Sequence, residues 1–134
     1  MSEENVEIAT RVVEQLTQGG FDAAWKFLDP DLEWETSPNL PDAGVYRGRE
    51  RVRAFMEEQW EVVWGGVPRV DIERAFDCGD DVLLFTRARG KGSHTGISLD
   101  VRIAQLLTLR TGKVVRVKVF PDREEALKAT GLPE

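Results

Sequence analysis

Two long runs of alternating apolar and polar residues stand toward the C-terminal end of the chain, across residues 95–122. Ile97, Leu99, Val101, Ile103, Leu107 and Leu109 fall on one parity, and Ser98, Asp100, Arg102 and Thr108 on the other. A period of two is that of a half-buried strand. Beyond Arg110-Thr111-Gly112-Lys113, Val115, Val117 and Val119 alternate with Arg116 and Lys118. Two such runs joined by a glycine-containing turn predict an antiparallel hairpin. Gln105 breaks the first run, because its amide stands on the apolar parity. A buried amide without partners costs about 1–3 kcal/mol. This face is therefore read as the wall of a pocket, with Gln105 among its few polar groups.

The rest of the chain supplies helices first and strands later. Val6, Ala9, Val13 and Leu16, with Val12 beside them, predict an amphipathic helix over residues 3–18, ended by Gly19-Gly20. Residues 22–28 predict a short second helix, closed by Asp29-Pro30 because a residue before proline avoids the helical region. Leu32, Trp34 and Thr36 share the inner face of a short strand. Residues 37–48, rich in proline and glycine, read as a loop whose Leu40, Val45 and Tyr46 suit it to fold over something. Residues 49–64 predict a third helix with an aromatic stripe of Phe55, Trp60 and Trp64, alongside Val52, Met56 and Val63. Strands follow at 67–76 and 82–89, the first with a bulge near Arg74-Ala75 where the alternation slips. Residues 90–96 form a glycine-rich connection, and Arg123–Thr130 a final helix with Gly131 just past its end. The order predicts a single α+β domain over residues 1–134: a curved antiparallel sheet with helices packed on one face, and a short C-terminal helix.

Composition narrows the partners. A net charge of −6 with no basic run argues against nucleic acid. No apolar run approaches a membrane span, and no secretory leader is evident, so the expected compartment is the cytoplasm. One histidine and one cysteine cannot build a zinc site of the usual kind, and neither metal nor cofactor is expected. Cys78 sits in an acidic turn with no adjacent cation and is read as incidental.

Four stretches resemble the SnoaL-like branch of the NTF2-like superfamily: residues 19–34, 46–55, 89–96 and, most specifically, GKVVRVKVFPDREEALKATG at 112–131. The resemblance spans nearly the whole chain. It implies a cone-shaped fold, in which the bent antiparallel sheet wraps the three N-terminal helices around an apolar cavity, and a homodimer through the outer sheet face. The superfamily hosts isomerases, cyclases, epoxide hydrolases and proteins with no catalysis, so the pocket must be read residue by residue.

Steroid-isomerase relatives place a carboxylate base where Thr36 stands here, and an oxyanion hole where Gln105 and Val12 stand, so that machinery is changed throughout. Gln105 keeps a donor for a carbonyl. Epoxide-hydrolase relatives need two carboxylates and an arginine; Arg87 matches the arginine, but Arg89 and Val119 stand where the carboxylates would. Cyclase relatives use one Asp or His. Asp100, with Arg102, falls on the parity opposite Gln105, and His94 lies in the glycine-rich connection. The expected ligand-binding set is Trp34, Thr36, Tyr46, Phe55, Trp60, Phe85, Arg87, Val101, Ile103, Gln105, Val117 and Val119. An apolar wall with sparse polar groups suits a small molecule. The reading is a pocket for a mostly apolar, carbonyl- or hydroxyl-bearing ligand, with isomerase- or cyclase-type chemistry as an extension. If there is catalysis, Gln105, Arg87 and Thr36 are its candidates. The alternatives are a non-catalytic dimeric interaction module and an epoxide-hydrolase-like enzyme.

Overall fold

The computed structural model of the chain describes residues 2–36, 44–92 and 96–132. Four α-helices occur among them: α1 Ser2–Gln18, α2 Gly20–Ala24, α3 Arg49–Gln59 and α4 Arg123–Thr130. Six strands form one open, bent sheet: β1 Leu28–Thr36, β2 Gly44–Arg47, β3 Arg69–Cys78, β4 Asp81–Lys91, β5 Ser98–Arg110 and β6 Lys113–Phe120. The strand order is β2-β1-β6-β5-β4-β3. Every neighbouring pair is antiparallel except β1 and β6, which run parallel. The sheet is thus mixed, not wholly antiparallel as expected, because β1 reaches β6 through the long crossover that carries α3.

The N-terminal elements depart from expectation in instructive ways. The second helix stops at Ala24, a tight helical turn carries the chain through Phe27, and β1 already begins at Leu28. Pro30, which cannot donate to a ladder, sits where the β1–β6 register shifts between Leu28 and Glu33. The Asp29 carboxylate accepts from the Asp31 backbone N–H at 2.8 Å across the same bend. Part of the segment read as a loop is β2, whose Tyr46 pairs with Trp34. The remainder of that loop, residues 37–43, and residues 93–95 with His94 lie outside the described residues. The third helix gives way after Gln59 to a wider, π-helical turn over Trp60–Trp64.

The strands follow the sequence closely. The bulge in β3 falls between Ile72 and Arg74. Arg110 pairs with Lys113, leaving a two-residue loop in which Thr111 has φ 50° and Gly112 φ 79°. Two positive φ values mark the turn that suits the strand twist of a hairpin. A second irregularity between Thr108 and Leu109 brings Val114, rather than Val115, onto the inner face opposite Leu109. α4 opens on Asp122, whose carboxylate accepts from the Glu125 N–H at 2.7 Å, and it closes on Gly131 in the left-handed region.

Two cores result. The larger joins Val12, Val13 and Leu16 of α1 and Val52 and Phe55 of α3 to Leu84, Leu107, Leu109 and Val117 of the sheet. The smaller lies on the opposite sheet face, where α4 sets Ala126 against Leu83, Phe85, Ala104 and Phe120. Each fully buried side chain of this kind contributes roughly 1.5–3 kcal/mol. No described helix is long and apolar enough to cross a membrane.

Thr111 is the one described non-glycine residue with positive φ, and a β-branched residue is strained there. Replacing it with Asn, the residue favoured at that turn position, should raise stability by about 1 kcal/mol. Urea denaturation of Thr111→Asn against the parent measures this, and an unchanged midpoint refutes it.

Candidate functional site

The larger core does not fill the space between helices and sheet. A cavity of about 510 Å³ remains. α1 lines it with Val13, Leu16 and Thr17; the α3 segment and its π-helical turn add Phe55, Met56, Gln59, Trp60, Val63 and Trp64. The sheet supplies the opposite wall in rows set by strand pairing. Thr36, Val119 and Gln105 lie abreast on β1, β6 and β5. Adjacent strands are about 4.8 Å apart, so Thr36 and Gln105 stand roughly 10 Å apart at one level with Val119 between them. The next row pairs Ile103 with Thr86, and the next Val101 with Ala88.

Exposure grades along β5. Ile97 is 62% exposed and Val101 41%, whereas Leu107 is 1% and Leu109 3%. The hollow therefore opens near Val101 and is sealed beyond Gln105. Near the sealed end lie its polar groups. The Gln105 side-chain N–H donates toward the Thr86 hydroxyl at 3.5 Å, a long bond, and Thr86 is buried. Thr36 is buried as well. Thr17 is already engaged, its hydroxyl donating to the Val13 and Glu14 carbonyls. Among the described residues that line the cavity, none is ionisable.

Of the expected ligand-binding residues, Trp34, Thr36, Phe55, Trp60, Val101, Ile103, Gln105 and Val119 line this cavity. Four do not. Phe85 faces the other way, into the α4 core, because β4 is covered on both faces from Val82 to Thr86 and its parity cannot be read from hydrophobicity. Arg87 shares that outer face and holds Asp100 with two bonds, at 2.7 and 2.5 Å. Val117 is buried beneath the cavity, in the row with Trp34 and Leu107. Tyr46 stacks on Phe55, ring centroids 4.0 Å apart and 19° from parallel, and so backs the wall without forming it. Thr86, Gln59, Met56 and Trp64 line the cavity but were absent from the expected set. For Thr86 the signal was present, as the lone hydroxyl in an apolar strand.

The outer face carries a ladder of ion pairs. Besides Arg87–Asp100, Arg89 meets Asp71 at 2.5 Å, and Glu73 accepts from both Arg102, at 3.3 Å, and Arg123. Asp100 and Arg102 therefore point outward, as their parity predicts. Hydrogen bonds from Arg87, Arg89 and Arg123, respectively, hold the Asp100, Asp71 and Glu73 carboxyls below their ordinary pKa. Cys78 is half-buried, and burial raises its pKa, which keeps the thiol protonated. With Arg87 outside and no described carboxylate on the wall, the water-activating relay of the epoxide-hydrolase reading lacks all its parts.

The fold and this wall belong to a recognisable class. The SnoaL-like domain model matches residues 9–117, and the chain belongs to that family. No curated protein matches it. Among solved structures, a protein from Jannaschia sp. CCS1 described as a SnoaL-like polyketide cyclase superposes with a TM-score of 0.78 at 22% identity, covering 99% of this chain and 95% of the other. TerC co-crystallized with polyporic acid gives 0.77 at 19% identity, covering 96% and 98%. A ketosteroid isomerase-like fold from Catenulispora acidiphila, in complex with trimethylamine, gives 0.73 at 20%, covering 95% and 94%. At these identities the likeness establishes the fold alone.

Two outcomes follow from these placements. Phe85→Ala should destabilise the protein by about 3–5 kcal/mol while leaving cavity binding unaltered, read by denaturation and by titration of a cavity probe. The ladder carboxyls have depressed folded pKa values, so their contribution is fully present above the unfolded values and is lost as pH falls through the folded ones. The thermal midpoint should thus decline below about pH 4, modestly because all three carboxylates are partly exposed. A combined Asp71→Asn, Glu73→Gln, Asp100→Asn variant should flatten that decline; an unchanged acid profile would contradict the assignment.

Proposed function

We propose that the chain binds a small, neutral, mostly apolar molecule whose carbonyl or hydroxyl group meets Gln105, Thr86 and Thr36. One observation carries the proposal: the described wall combines indole, phenyl and aliphatic groups with amide and hydroxyl groups, and holds no ionisable side chain. A charged ligand would leave water with no opposite charge to meet it, at a cost of several kcal/mol. A neutral carbonyl needs only a donor, and the Gln105 amide supplies one beside Thr86. The family membership supports the same reading.

Isomerase- or cyclase-type chemistry would run here by polarising that carbonyl. Loss of a comparable donor elsewhere costs about 3–4 kcal/mol in catalysis. Among the described lining residues none would take up or release a proton near neutral pH, so the simpler activity is binding. A homodimer through the outer sheet face accompanies the proposal. The alternating arginines and carboxylates there suit a surface that meets its own copy. Light scattering of the purified chain decides it, a monomer at all concentrations counting against.

Trp34, Trp60 and Trp64 line the cavity, so occupancy should quench their fluorescence. Titration with 2-acetylnaphthalene, a neutral aromatic ketone, should saturate, with Kd flat between about pH 5 and pH 9 because none of the described wall residues titrates there. Gln105→Leu should weaken binding about tenfold, the worth of one neutral hydrogen bond. Silence across a broad panel of neutral carbonyl compounds would end the proposal.

A further inference from the structure

Gly90 lies inside β4 and does not have positive φ, so backbone conformation does not demand a glycine there. A glycine within a strand forfeits side-chain packing and marks a place where something approaches closely. Here the approaching group is Trp64. A Cβ on Gly90 would stand 3.0 Å from Trp64 Cε3 and 3.4 Å from Cζ3. The six-membered ring of the indole therefore rests on the strand backbone itself.

The position of that ring gives the contact its meaning. Trp64 comes from the helix layer, lines the hollow and reaches β4, so its side chain joins the helix layer to the sheet beside that hollow. Two other lining residues are exposed at the open end: Val63 at 42% and Val101 at 41%. On β4, Ala88 and Gly90 are two residues apart on the inner face, and these smallest side chains leave the groove in which the ring lies. Behind Trp64 the helix is closed by the Gly65 N–H donating to the Glu61 carbonyl and the Gly66 N–H to the Trp60 carbonyl, both at 3.1 Å. Gly65 has φ 68° and Gly66 φ 149°. These bonds fix the angle at which the indole leaves the helix.

We infer that Trp64 is a bar across the mouth of the cavity and Gly90 its seat, and that the pair sets the width of ligand the cavity admits. The inference rests on the small-molecule reading of the cavity and adds to it a selectivity device. Removing the indole widens the mouth. Adding one methyl group at Gly90 makes the ring give by a few tenths of an ångström and loosens the same barrier.

Stopped-flow binding of two neutral carbonyl-bearing probes tests this: 2-acetylnaphthalene as the narrow one and Nile red as the wide one. Trp64→Ala should speed association of Nile red about tenfold and of 2-acetylnaphthalene by no more than about twofold. Gly90→Ala should shift the ratio of the two rates in the same direction, and should have no further effect in the Trp64→Ala background, where no ring remains to be lifted. A ratio unchanged in both single variants, or a Gly90→Ala effect equal in both backgrounds, overturns the inference. A ligand-free measurement stands apart from probe binding. Acrylamide quenching of the Trp64 emission, taken as the difference from Trp64→Phe, should rise in Gly90→Ala, and an unchanged value removes the seat. If the parent protein binds neither probe, the small-molecule reading fails and the selectivity device falls with it, whereas the quenching result still decides the contact.

Discussion

Eleven consecutive residue pairs, from Asp81–Thr108 to Lys91–Ser98, join β4 to β5 without a bulge. That unbroken register decides what every side chain of the two strands does. Thr86, Ala88, Val101, Ile103 and Gln105 face the hollow because of it, and Phe85, Arg87, Asp100 and Arg102 face away. A slip of one residue would turn one strand over: in β5 it would bring Asp100 and Arg102 into the cavity and take Gln105 out, and in β4 it would exchange Thr86 and Ala88 for Phe85 and Arg87. The inner face tolerates a hollow because the outer face is supported separately. α4 covers one half, and the arginine–carboxylate ladder covers the other.

What could be read from the sequence, and what could not, follows from the same geometry. β5 shows clean alternation because only one of its faces is apolar over residues 97–103, so Val101, Ile103 and Gln105 were legible. β4 carries the continuous run Val82-Leu83-Leu84-Phe85-Thr86, all buried. Alternation vanishes where both faces are covered, and Phe85 and Arg87 were misplaced for that reason. The aromatic stripe of the third helix was legible as a stripe. Which of its members would reach the hollow was not, because the switch from α to π geometry after Gln59 re-aims the last turn. Tyr46 stood in a segment whose proline and glycine content hid a four-residue edge strand. Gly90 read only as the start of a flexible connection, since its role depends on a tryptophan 26 positions earlier.

The polar groups of the wall are neutral. Thr36, Thr86 and Gln105 bring hydrogen-bonding capacity to the cavity without charge. The buried Thr86 hydroxyl beside Gln105 gives the amide a local partner, which lowers the cost of keeping it in an apolar hollow when no ligand is present. The Gln105 amide nitrogen carries a second N–H, so a carbonyl bound as proposed would be met without breaking that contact.

Charge stands on the other face. Asp71, Glu73 and Asp100, together with Arg87, Arg89, Arg102 and Arg123, all belong to β3–β5 and α4, yet they pair on the face away from the cavity. Partition of this kind keeps the hollow free of fields that would favour a charged guest, since exposed ion pairs are screened by water and by one another. It also sets what a carboxylate placed on the wall would meet. At Thr36 or Thr86 it would find no cation among the described wall residues, and burial would raise its pKa.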